Sequence, residues 1–120
     1  MFAWHFSKTP LPQEKADAAI AAVKARVALS SPLMMIVFGS IADGNAHDGS
    51  DLDVLLVYET DQDVARARHL IYSGLTGPIA EMPVDLIFVT RDEYRRKRDL
   101  GGVCFEAAKR GLRIIDQCGD

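Results

Sequence analysis

The chain has 120 residues, 48% of them hydrophobic, with 14 basic against 17 acidic side chains and a formal net charge of −3. A length of this order holds one domain with a real core and leaves little room for a second, so the expectation is a single domain over residues 1–120 with 1–12 as an N-terminal extension. The apolar content excludes a disordered or low-complexity chain, and the acidic balance argues against an electrostatic binder of duplex DNA.

Pro10 and Pro12 punctuate the start, and Gln13–Leu29 reads as a helix with Ala16, Ile20, Val23 and Val27 as its core stripe. Ser30-Ser31-Pro32 stops it. Leu33–Phe38 is a continuous apolar run of strand length, as expected of a strand covered on both faces. Residues 39–50 form a Gly-rich connection with room for a short helical turn. Asp51–Tyr58 is the next strand, with Leu52, Val54 and Leu56 on one face and Asp51, Asp53, Leu55 and Val57 on the other. Thr60 opens a second helix, with Asp63 three residues on and Val64, Ala67, Ile71 and Leu75 as the buried stripe; Gly74–Pro78 ends it.

Val84–Val89 is a third strand, and Thr90-Arg-Asp-Glu93 is a capping box that starts a short polar helix through about Arg98. Gly101-Gly102 breaks the chain, Phe105–Arg110 is helical, Gly111 caps, and Leu112–Ile115 forms a last short strand. The fold class is therefore α/β (α+β), a small mixed sheet flanked by helices. Two cysteines, Cys104 and Cys118, fit neither a disulfide framework nor a zinc pattern. With no signal peptide and no apolar run near the roughly 20 residues a bilayer needs, the expectation is a cytoplasmic chain that meets no membrane.

The oddity is acid inside strands. Aspartate is depleted there, yet Asp51, Asp53 and Asp85 lie in or at the start of apolar strands. Residues i and i+2 share a face, so Asp51 and Asp53 project together, and pairing with the third strand brings Asp85 to them. At about 4 Å and an effective dielectric near 20, each charged pair repels by about 4 kcal/mol. Protonation or a cation must relieve that, and clustered oxygens suit hard ions, Mg²⁺ above all. Gly39-Ser40 at the end of the first strand is a plausible phosphate grip, glycine letting a phosphate near the backbone and Ser40 adding a hydroxyl and an amide. The glycines at 39 and 44 have P-loop spacing, but Asn45 and Ala46 stand where Lys and Ser/Thr are required. His5, His47 and His69 show no ligand spacing, and the basic run Arg91, Arg95, Arg96, Lys97, Arg98 reads either as a solvated face or as a contact for phosphates, RNA or an acidic helix.

Phe38-Gly39-Ser40, Gly44, Ser50–Val57 and Val84–Ile87 together resemble the nucleotidyltransferase superfamily of DNA polymerase beta-like enzymes. In particular the chain is similar to the minimal nucleotidyltransferases (MNT) that accompany HEPN proteins in toxin–antitoxin pairs, over about residues 13–116. One position departs: Asp43 precedes Gly44 where many members carry a basic residue. The resemblance implies Asp51, Asp53 and Asp85 as catalytic residues and ligands of two Mg²⁺ ions. It implies Gly39, Ser40 and Ser50 as nucleotide-binding residues, with the first two on the β- and γ-phosphates. The reaction it implies is transfer of AMP from ATP to a tyrosine of the HEPN toxin partner, in a stable complex or as a homo-oligomer. Two alternatives stand beside it: a non-catalytic toxin-binding module, and a nucleotidyltransferase for a small molecule or RNA that needs a partner subunit.

Overall fold

A computed structural model describes residues 9–117. Phe2, Trp4, His5, Phe6 and Cys118 lie outside the described residues. The elements are α1 (Gln13–Val27), a 3-10 turn (Ala28–Ser30), β1 (Met34–Phe38), α2 (Ser40–Asp43), β2 (Leu52–Tyr58), α3 (Asp61–Tyr72), β3 (Val84–Thr90), α4 (Arg91–Lys97), α5 (Val103–Arg110) and β4 (Leu112–Asp116). The mixed α+β class expected from the sequence is the class observed.

The four strands form one sheet in the order β3-β2-β1-β4. β1 runs antiparallel to both β2 and β4, while β2 and β3 run parallel with α3 as the crossover between them. β1 is buried along its whole length, as an apolar run without alternation requires. Strand parity sorts the core into two layers. Met35, Val37, Leu52, Val54, Leu56 and Tyr58 pack with Val23 and Val27 of α1 and Ala67 and Ile71 of α3. Met34, Ile36, Phe38, Leu55, Val57 and Val89 pack with Tyr94 of α4 and Cys104 and Ala107 of α5 on the other side. A bulge between Met35 and Ile36 opposite β4 lets the successive residues Ile114 and Ile115 both pack against the α1–α3 layer.

The caps follow the sequence signals: the Thr60 hydroxyl accepts the Asp63 N–H at 3.1 Å, and Thr90 accepts that of Glu93 at 3.2 Å. α3 ends three residues before Leu75, which sits half-buried in the following loop rather than on the helical stripe. Gly74, in left-handed backbone (φ +72°), turns the chain out of the helix as the sequence signal expects, and Arg26 of α1 donates from Nε to Ile71 O and from Nη2 to Ser73 O, both at 2.5 Å, taking up carbonyls at that helix end. Gly111 does close α5, but with extended rather than left-handed backbone (φ −74°, ψ 157°). It is glycine because a Cβ there would collide with Ile36 Cγ2 and Ala107 O.

Along the basic stretch, Arg91 pairs with Glu59 at 3.3 Å, Arg96 with Asp92 at 3.4 Å and Lys97 with Glu93 at 2.9 Å, while Arg98 lies over the Tyr94 ring. Those four side chains therefore form a self-paired solvated face. No helix among the described residues is long and apolar enough to cross a membrane.

Candidate active site

The end of β1 and the beginnings of β2 and β3 meet at one edge of the sheet. Phe38 pairs with Asp53, and Asp53 pairs with Asp85. These three residues form one row on the face occupied by α4 and α5. That row places the Asp53 and Asp85 carboxyls next to each other on neighbouring strands, over an apolar floor that continues into Leu55 and Ile87. Asp53 is partly buried and Asp85 exposed; Asp51 is exposed and lies just before β2, on the same parity as Asp53. The main-chain bond from Leu52 N–H to Pro83 O (2.8 Å) fixes the start of β2 against the start of β3.

Electrostatics follow from that row. The Asp53 pKa is pushed above its ordinary value of 3.8, first by burial, then by the charge of Asp85, then by that of Asp51. The three carboxyls thus share one field. They do not close into a ready-made cage: among the described residues no three His, Cys, Asp or Glu side chains form a group that could hold one metal ion.

Gly39 begins the connection with φ +79° and ψ −154°, a conformation glycine adopts at no steric cost. A Cβ at that position would stand 2.5 Å from Asp53 Oδ2. The backbone therefore passes directly against the Asp53 carboxylate, and only the lack of a side chain permits it. α2 follows, closed by Gly44 in the left-handed region (φ +77°), with Asn45 N–H donating to Ser40 O at 2.9 Å.

The rest of the loop is organised by hydrogen bonds that the sequence did not reveal. The Ser50 N–H donates to His47 O at 2.9 Å, and the His47 N–H donates to Ser50 Oγ at 2.9 Å. The Gly49 N–H donates to His47 Nδ1 at 3.0 Å, so in the neutral ring the proton sits on Nε2. Ser40 Oγ donates to Ser50 Oγ at 3.2 Å and ties α2 to this turn. The residues before α1 clamp the same loop: Leu11 N–H donates to Ala46 O and Asp48 N–H to Thr9 O, both at 3.0 Å, with Pro10 bridged to His47. The only advance sign of this network was the spacing of His47 and Ser50 by three residues, a turn-forming separation. The clamp left no local mark.

The structure thus gathers Gly39, Ser40, Ser50, Asp51, Asp53 and Asp85 at one sheet edge, where the sequence reading placed them. A cavity of about 830 Å³ lies elsewhere, between α1 and Pro78–Met82, and none of these six residues lines it.

The strand end thus presses a glycine turn against one of three neighbouring aspartates, with serine hydroxyls beside it. A family profile described as "Nucleotidyltransferase domain" matches residues 19–112, a span that contains all six of these residues. The chain belongs to this family, and nucleotidyl transfer is its class of activity. Nucleotidyltransferase domains generally work with a nucleoside triphosphate and a divalent metal. No curated protein matches the chain.

Proposed function

We propose that this chain is a minimal nucleotidyltransferase of the MNT kind, which transfers AMP from ATP to a tyrosine hydroxyl of a HEPN-type toxin and acts as its cytoplasmic antitoxin. The observation that carries the reading is the Asp53–Asp85 pair with Asp51 beside it, placed against Gly39 and Ser40. The donor set fits a pair of Mg²⁺ ions: the oxygens are hard, the carboxyls bear like charge, and the Asp53 pKa is raised by burial and then by the charges of Asp85 and Asp51, which cations would offset. Asp51, Asp53 and Asp85 would hold the metal. Once bound, it supplies charge neutralisation on the triphosphate and lowers the pKa of the acceptor hydroxyl.

The protein's own groups do the rest. The Gly39 backbone, free of a side chain, and the Ser40 hydroxyl hold phosphate oxygens and orient the α-phosphorus. Asp85, the most accessible carboxylate of the strand pair, takes the proton of the acceptor hydroxyl. The acceptor oxygen forms a bond to the α-phosphorus as the bond to the β-phosphate oxygen breaks, and pyrophosphate leaves with the charge. Because the sheet edge is open beside Asp85, a separate protein can present the acceptor there, in a stable complex or within a homo-oligomer.

Incubation with ATP labelled at the α-phosphate, Mg²⁺ and the HEPN-type protein encoded beside it tests the reading. Label should pass to the partner, and Asp53→Ala should abolish transfer. Toxin neutralisation that survives Asp51→Ala with Asp53→Ala, and proceeds without transfer, would overturn it in favour of a non-catalytic binding module.

A further inference from the structure

Ser50 is the buried polar side chain among the described residues, 7% exposed. A hydroxyl carries one proton and two lone pairs. One lone pair of Ser50 Oγ is filled by the His47 N–H at 2.9 Å, and Ser40 Oγ lies 3.2 Å away as its second partner. The His47 amide can only donate, so that end of the chain cannot reverse. The Ser40–Ser50 link can: rotation of both hydroxyls lets Ser50 donate to Ser40, and the Ser40 proton then faces outward. In the structure Ser40 is the donor of that link; once reversed, the bonds would run from the His47 amide through the Ser50 hydroxyl to the Ser40 hydroxyl, each donor polarising the next. In that arrangement the Ser40 proton is left for an anion.

The scaffold around it is stiff. Ser50 N–H is held by His47 O, and His47 sits between the two clamp bonds to Thr9 and Leu11. Half-buried Ser40 is the outward end of the relay, at the glycine turn beside Asp53.

We infer that Ser50 is a positioning residue that does not touch the nucleotide. It relays the His47 amide to Ser40 and aims the Ser40 proton at a phosphate oxygen of the nucleoside triphosphate. The inference rests on the reading of Ser40 as a phosphate contact, and it moves Ser50 from the nucleotide-binding group to the layer behind it.

A double-mutant cycle on ATP affinity in the presence of Mg²⁺, measured by calorimetry on the full chain, tests it. Losing one hydrogen bond of this kind should weaken ATP binding about three- to tenfold in Ser50→Ala. Ser50→Thr keeps the hydroxyl and should restore affinity, and the background of Ser40→Ala separates the relay from the structural bond to the His47 N–H. In a Ser40→Ala background, Ser50→Ala should cost nothing further, because the relay has lost its outer end. Losses that multiply in the double variant overturn the inference alone, since Ser50 would then act independently of Ser40. A wild-type chain that binds no ATP overturns the underlying reading, and this inference with it.

Discussion

Asp53→Asn removes a charge and keeps the side-chain shape, which makes it the sharpest probe of the aspartate row. Burial, Asp85 and Asp51 each disfavour ionised Asp53 in the folded state, so its folded pKa stands above the ordinary 3.8. A carboxyl of this sort takes up a proton on folding within that window. Its contribution to stability is full below the ordinary value and is lost as pH rises through the raised one. Near neutral pH the ionised group therefore costs the metal-free protein stability.

The size of that cost follows from the register. Neighbouring strands lie about 4.8 Å apart, and two unit charges at about 5 Å repel by about 3 kcal/mol at an effective dielectric of 20 and by about 0.8 kcal/mol in water. Asp85 is exposed and Asp53 only partly buried, so solvent screening favours the lower end. Asp53→Asn should accordingly gain about 1 kcal/mol near pH 7 in chelator, a rise of about 3–5 °C in Tm for a domain of this size. Thermal unfolding followed by circular dichroism reads it. The gain should fade as the pH is lowered through the raised Asp53 pKa, where the wild-type carboxyl takes up its proton in the fold. Mg²⁺ should raise the Tm of the wild type and leave that of Asp53→Asn nearly unchanged. A variant no more stable than wild type in chelator, or a gain that does not vary with pH, refutes the reasoning.

Three further substitutions separate site from scaffold. Gly39→Ala puts a Cβ at a φ of +79° and 2.5 Å from Asp53 Oδ2; it should cost about 1–3 kcal/mol in a melt and abolish label transfer from ATP by displacing that carboxylate. Gly111→Ala drives a Cβ into Ile36 Cγ2 and Ala107 O, with β1 and β2 lying between it and the strand of Asp85. A loss of about 2 kcal/mol or more in urea unfolding is expected, with ATP affinity retained in the folded fraction. Arg26→Ala frees the Ile71 and Ser73 carbonyls and should cost about 1–2 kcal/mol. Hydrogen exchange should speed up first in the last turn of α3.

What the sequence made legible and what it hid divide along the range of the interactions. Strand parity is local, and it correctly put Leu52, Val54 and Leu56 on one face and Asp53 with Leu55 and Val57 on the other. The caps at Thr60 and Thr90 span three residues and were equally readable. The glycine that ends α3 was readable too, but not the group that takes its carbonyls, Arg26, 45 residues away from Ile71 in sequence. Nor was the clamp of Thr9 and Leu11 on residues 46–48, since backbone bonds between distant segments carry no side-chain signature.

The site itself was visible for a different reason: aspartates inside apolar strands break the propensity rule, and such local violations mark places where another requirement has won. That signal named the acids but could not say how closely they gather. Parallel pairing sets Asp53 beside Asp85, and among the described residues no three such side chains form a metal-holding group. The same logic separates Ser40 from Ser50, two similar residues beside the same aspartates. Ser50 is buried and bonded to the His47 N–H while Ser40 is only half-buried, and on that difference rests the proposal that Ser40 meets the ligand and Ser50 stands behind it.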